Sequence, residues 1–182
     1  MAASEYERFS DAAHRAVVSA EREAREAGHE IVGTEHLLVS LASVDDDVRS
    51  RLAASGLTAE ALRERVLEWA PSSGGPVEHA VFSPSLRRAV QLSGRLATQE
   101  RSSTITGRHL LRAVLEVEDD LVLRVLIGLG VDPGALRRRA APVIATAERA
   151  GIRADRADRA DREPLIRRRT LRDLVVSLLS TR

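Results

Sequence analysis

The sequence is written twice. Phe9-Ser10 recurs as Phe82-Ser83, Ala16-Val17 as Ala89-Val90, and His36-Leu37-Leu38 as His109-Leu110-Leu111, all at a constant offset of 73. Further along, Leu52, Gly56 and Leu62 match Leu126, Gly130 and Leu136 at an offset of 74, one inserted residue later. A register kept across both halves marks a duplicated unit whose copies pack on each other.

Each half reads as four helices. In the first, Ser10 or Asp11 can cap a helix whose apolar positions Phe9, Ala13, Ala16, Val17, Ala20, Ala24 and Ala27 follow helical spacing until Gly28. Thr34 is placed to cap a second helix carrying Leu37, Leu38 and Leu41. Asp45-Asp46-Asp47 supplies a cap and favourable charge for a short third helix through Val48 and Leu52, which Gly56 ends. Thr58 opens a fourth, with Ala61, Leu62, Val66 and Trp69 facing inward. The second half repeats this plan, with Ser83-Pro84 and Asp132-Pro133 each placing proline at a first helical position, where its missing N–H costs nothing. Pro142 is expected to kink or restart the last helix.

The expected fold class is therefore all-α: an eight-helix, pseudo-two-fold duplication of a four-helix repeat, followed by a C-terminal helical tail. The repeats fall at about residues 5–70 and 80–148 within a domain spanning 1–150. Between them, residues 71–80 begin Pro71-Ser72-Ser73-Gly74-Gly75-Pro76, flexible by composition and short enough to keep the copies together. Such a pair should have a groove at its junction, close to the first helices and to Phe9 and Phe82. Residues 151–182 form a separate segment, opening with an Arg/Ala/Asp triplet repeat without an apolar face. It ends in an amphipathic stripe of Leu165, Ile166, Leu171, Leu174, Val175, Leu178 and Leu179, which could dock on the domain or self-associate.

Composition narrows the chemistry. There is no cysteine, which excludes disulfides and cysteine-ligated zinc and fits a reducing compartment. All 28 basic residues are arginine, so no lysine is available for a Schiff base or a phosphate loop of the Gly-x-x-x-x-Gly-Lys-Ser/Thr type. Tyr6, Phe9, Trp69 and Phe82 are the only aromatic residues, so the core must come from Ala, Leu, Val and Ile. A net charge of +1 gives no general drive toward nucleic acid. The N-terminus has no cationic and apolar leader, and no apolar run approaches the roughly 20 residues that span a bilayer, so a cytoplasmic protein is expected.

The segment Gly28-His29-Glu30-Ile31-Val32-Gly33-Thr34-Glu35-His36-Leu37-Leu38 resembles the signature of the Clp N-terminal (Clp R) repeat family, which carries Gly-Thr-Glu-His-Leu/Ile-Leu after its first helix, twice per domain. The Phe-Ser starts and the late elements Ser55-Gly56-Leu57 and Leu129-Gly130-Val131 fit the same pattern, over about residues 5–148. The resemblance implies a docking platform like the N-domain of ClpC-type unfoldases, here standing alone without an ATPase. Its implied partners are Clp unfoldase or protease components, adaptors and substrate proteins, with no cofactor, no metal and no catalytic residue.

The same resemblance implies sites. Glu35, in the first turn of its helix, and Thr34 correspond to positions implicated in binding arginine or phosphoarginine. A carboxylate beside orphan helix N–H groups can take a guanidinium while those groups hold its phosphate. The simpler reading is that Glu35 satisfies the helix dipole. In the second repeat Thr106-Gly107-Arg108-His109 puts a guanidinium in place of the carboxylate. Arg108 would thus be a degenerate second site repelling arginine, or a solvated residue. His36 and His109 read as structural histidines near helix starts, because neither has a second ligand at i+4. Tyr6, Phe9, Val17, Val18, Phe82, Arg87 and Gln91 correspond to an inter-repeat groove that in some relatives binds peptides or cyclic-peptide antibiotics. Of these, Phe9 and Phe82 start the packing stripe and Tyr6 and Arg87 are the surface members.

Three functions follow as expectations. The first is a non-enzymatic module that binds protein segments or the Clp complex and modulates Clp-dependent proteolysis. The second is a scavenger of Clp-directed cyclic peptides, conferring tolerance. The third is a helical nucleic-acid-binding regulator using the arginine-rich tail, which the near-neutral charge and scarce aromatics oppose.

Overall fold

A computed structural model of the protein describes residues 7–70, 72 and 74–141. These form α1 (Asp11–Glu26), β1 (Ile31–Val32), α2 (Thr34–Val44), α3 (Asp46–Ala53), α4 (Ala59–Trp69), β2 (Val81–Phe82), α5 (Pro84–Gln99), α6 (Gly107–Val117), α7 (Asp120–Gly128) and α8 (Pro133–Ala140). Four helices come from each repeat, as the duplicated sequence predicts. Pro142 and the whole of 151–182, with its expected tail helix, lie outside the described residues.

The helix starts are set by short polar side chains. Ser10 Oγ accepts from the Ala13 N–H at 3.2 Å and Ser83 Oγ from the Leu86 N–H at 3.0 Å, so the matched Phe-Ser pairs are matched caps. Asp45 caps α3 through the Val48 N–H at 3.0 Å, Thr58 caps α4 through Ala61, and Asp132 caps α8 through Gly134 and Ala135. The matched glycines Gly56 and Gly130 end α3 and α7 with φ of +76° and +75°, a left-handed conformation that costs glycine nothing.

Each first helix packs on its own second helix, α1 on α2 and α5 on α6. The repeats then join through α2 on α6, α3 on α6 and α4 on α7. One apolar cluster runs through both, built from Ala13, Ala16, Ala20 and Ala24 of α1, Leu37, Leu38 and Leu41 of α2, and Leu110, Leu111 and Val114 of α6. The alanine face of α1 lets the helices approach closely, which compensates for the lack of aromatic volume. At the second interface the ring of Trp69 lies against Gly128, where any Cβ would collide with it.

Two features depart from the sequence reading. The first is strand structure in a chain expected to be wholly helical. β1 and β2 pair in parallel, Ile31 with Val81 and Val32 with Phe82, while Phe9 pairs in parallel with Ile105. The pairing is reciprocal: residues before α2 bind the start of the second repeat, and residues before α6 bind the start of the first. The Ser83 N–H donates to Val32 O at 2.9 Å, and its counterpart, the Ser10 N–H, donates to Ile105 O at the same distance. These bonds make the pseudo-two-fold axis a hydrogen-bonded one.

The second departure is the connecting segment, expected to be flexible from its composition. Ser72 Oγ donates to Ala27 O at 2.9 Å, the Val77 N–H donates to Arg25 O at 3.2 Å, and Arg25 Nε donates to Val77 O at 3.2 Å. Gly28, at φ +74°, lies so close to Gly75 O that a Cβ there would collide with it. Ser72 and Val77 are held against the end of α1 because that end presents carbonyls for them to cap.

Candidate functional site

The starts of α2 and α6 are equivalent in the duplication and use one device. The N-cap of α2 is Gly33, whose N–H donates to His36 Nδ1 at 3.0 Å; the N-cap of α6 is Thr106, whose N–H donates to His109 Nδ1 at 3.0 Å. The matched histidines therefore fill the place that Glu or Gln takes in an ordinary capping box. This corrects the expectation that Thr34 caps α2. Thr34 is the first helical residue, fully buried, and its Oγ1 has no hydrogen-bond partner.

Around that shared device the two repeats diverge. In the first, His36 Nε2 lies 2.7 Å from His29 Nδ1, both rings being buried. The two imidazoles share one hydrogen bond between these nitrogens. The Nε2 of His29 is then left buried without a partner. Burial, reinforced by His36, lowers the pKa of His29 against an opposing pull from Glu35. Glu35 is only 8 % exposed. Its Oε1 stands 3.0 Å from His36 Nδ1, and its carboxylate folds over Gly33 into the space where a Cβ would sit. The expected arginine-binding pair, Glu35 and Thr34, is thus packed inward at the helix start.

In the second repeat the corner is closed by one carboxylate, which the sequence reading missed. Glu100, at the end of α5, takes Arg108 at 2.5 Å and His109 Nε2 at 3.2 Å on Oε2, and Arg112 at 3.2 Å on Oε1. Arg112 also donates to Glu116 at 2.6 Å, and Thr106 Oγ1 meets His109 Nδ1 at 2.9 Å. Burial lowers the pKa of His109 and Glu100 partly offsets this. Arg108, partly exposed, is thus paired with a carboxylate that the chain itself supplies.

At the offset of 73, Glu100 corresponds to Ala27, Arg112 to Val39 and Glu116 to Ser43. The first repeat therefore lacks the charged side chains that meet at this corner in the second, and a pocket of about 130 Å³ is found there. Ala27, His36, Val39, Val66 and Leu67 line it, with Glu23, Glu26 and Arg63 at its polar side. Arg63 is tied to Glu23 by two bonds, Nε to Oε2 at 2.8 Å and Nη2 to Oε1 at 2.7 Å, which raise its pKa. None of Glu23, Ala27, Val39 and Arg63 stood out in the sequence as a site residue.

Of the expected groove residues, Phe9, Val17 and Phe82 are buried in the core, Val18 and Arg87 are partly exposed, and Gln91 is exposed. Tyr6 lies outside the described residues. Among the described residues no three His, Cys, Asp or Glu side chains are grouped to hold a metal, and no helix is long and apolar enough to cross a membrane.

Comparison with known proteins assigns the duplication. The family described as the Clp repeat (R) N-terminal domain matches residues 8–107 and 81–158. Chaperone protein ClpC1 of rice chloroplasts is 31% identical over 134 residues, covering 72% of this chain and 15% of that protein. The chain thus spans about a seventh of the length of such relatives. Among solved structures, the N-terminal domain of the chaperone ClpD from Arabidopsis thaliana superposes with a TM-score of 0.64 at 28% identity, covering 74% of this chain and 93% of that one. A complex of the ClpV N-domain with a VipB peptide superposes with a TM-score of 0.56 at 20% identity, covering 74% and 85%.

Proposed function

This chain belongs to the Clp repeat (R) N-terminal domain family, and from that premise we propose that it is a docking module that recognises extended protein segments. Those segments belong to substrates, adaptors or components of a Clp machine, and capturing them modulates Clp-dependent proteolysis. The observation that carries this reading is the match of the family across both repeats. Two further facts support it: the fold is that of an N-domain held in complex with a peptide, and the 182 residues contain no lysine with which to build an ATP-binding loop.

Arginine or phosphoarginine recognition by Glu35 and Thr34 is the finer form of this proposal. It requires the Glu35 carboxylate to leave His36 and turn outward from the start of α2. Loss of phosphoarginine binding in a Glu35→Ala variant that remains folded at the assay temperature is its expected signature.

The general proposal is tested by fluorescence anisotropy with labelled peptides tiling casein, and by adding the protein to a reconstituted ATP-dependent Clp protease degrading casein. Saturable binding of some peptides and a changed degradation rate are expected. No binding across the whole panel, with an unaltered rate, contradicts it.

A further inference from the structure

The two corners of the duplication offer an internal comparison. In the second repeat Arg112 stands at the corner and its guanidinium is shared between Glu100 and Glu116. In the first repeat the same backbone positions carry Val39, Ala27 and Ser43, and the space is a pocket. Its walls are aliphatic, from Ala27, Val39, Val66 and Leu67, and Leu67 is about half exposed. Its rim carries the carboxylates of Glu23 and Glu26 and the guanidinium of Arg63, with Arg22 beside Glu26. Glu23 is occupied by Arg63. Glu26 is exposed and stands 3.9 Å from Arg22, a spacing that leaves its oxygens open to a closer cation.

We propose that this pocket, formed by the C-terminal end of α1 with α2 and α4, receives an arginine or lysine side chain of a partner polypeptide. The methylenes of that side chain lie along Ala27, Val39, Val66 and Leu67, and its cation meets Glu26. The ligand chemistry follows from the pocket: an apolar channel beside the exposed Glu26 carboxylate, which Arg22 approaches only to 3.9 Å, suits an aliphatic stem with a cationic tip. It also reproduces from outside what Arg112 does from inside the second repeat. A purely aliphatic side chain leaves the Glu26 carboxylate unused, and an acidic one is repelled by it. This inference rests on the docking reading above and places the docking on the first repeat.

The test uses the full chain and four N-acetylated pentapeptides with an amidated C-terminus, identical except for arginine, lysine, leucine or glutamate at the centre. Binding is followed by backbone amide shifts. Expected is saturable binding of the arginine and lysine peptides, with shifts centred on Ala27, Val39 and Leu67. Leucine and glutamate peptides bind at least about threefold to fivefold more weakly, the factor that one exposed ion pair contributes. Glu26→Arg, a change at an exposed position, lowers cationic-peptide affinity by at least the same factor. Ala27→Leu narrows the pocket and abolishes binding of both cationic peptides. Equal affinity for the leucine peptide, or cationic binding unaffected by both variants, overturns the proposal. If casein peptides bind and both variants bind them as the parent does, the pocket assignment fails while the docking reading stands. If no casein peptide binds, the docking reading fails as well.

Discussion

The two repeats share a backbone plan and differ in how each satisfies the corner between its first and second helices. The second repeat is self-contained: Glu100 gathers Arg108, His109 and Arg112, and the corner is closed by the chain's own charges. In the first, Ala27 and Val39 replace Glu100 and Arg112, His36 turns to a second histidine, and a pocket stays open. Duplication thus supplies one frame twice, and divergence at a few positions closes one corner with ion pairs and leaves a pocket at the other. A buried network of this kind stabilises only while every member is paired, which ties the second corner to structure.

The largest effect expected from this difference is on stability. Glu100→Ala leaves two arginines and a buried histidine without their common carboxylate and should lower the unfolding free energy by about 2–3 kcal/mol. Its nearest counterpart in the first repeat, Glu35→Ala, removes one carboxylate with a single histidine contact and should cost about 1 kcal/mol or less. Urea denaturation of the two variants side by side measures the asymmetry, and equal losses would remove the distinction between closed and open corner.

A smaller effect is expected at the glycines of the two helix starts. A Cβ on Gly107 would strike the Asp45 carboxylate, which is pinned because its Oδ1 caps the Val48 N–H of α3. Gly107→Ala should therefore cost about 1–3 kcal/mol, the usual penalty of overpacking. A Cβ on Gly33 would strike only the far end of the Glu35 side chain, which can turn away. Gly33→Ala should cost less than about 1 kcal/mol, and less again in a Glu35→Ala background.

The smallest effect is one of pH. His29 and His109 both have lowered pKa values in the folded protein, mainly through burial. A histidine with a folded pKa below its unfolded value of about 6.5 binds fewer protons folded than unfolded, so stability falls as pH drops through and below 6.5. Asp45, whose carboxyl burial pushes up, acts in the opposite sense at more acidic pH, where its protonation favours the folded state. Denaturation between about pH 7.5 and pH 5.5 should show the histidine slope. His29→Gln and His109→Gln should each remove part of it, and glutamine retains the capping geometry of an N3 residue at position 109.

Much of the fold was legible in the sequence, and the reason is physical. Matched caps at Ser10 and Ser83, matched left-handed glycines at 56 and 130, and matched core leucines all perform one local task in both copies, so they remain identical. The reciprocal strands escaped notice because Ile31-Val32 and Val81-Phe82 are two residues each, too short for an alternation to show. The Thr34 cap was misread because a histidine two positions later performs the capping. Glu100 and the pocket were hidden for the opposite reason to the fold. They arise from positions where the repeats differ, and a comparison that searches for identity passes over Ala27 against Glu100 and Val39 against Arg112. A signal was present: three charge-altering differences, at 27/100, 35/108 and 39/112, share one offset and lie around one histidine.

The most direct test of first-repeat docking is a residue-by-residue map of amide shifts on titrating the full chain with the tightest-binding casein peptide. The expected map centres on the end of α1, on α2 and on α4, with the Glu100 corner of the second repeat undisturbed. Shifts centred on α5 and α6, or spread equally over both corners, would contradict the division of labour between the repeats.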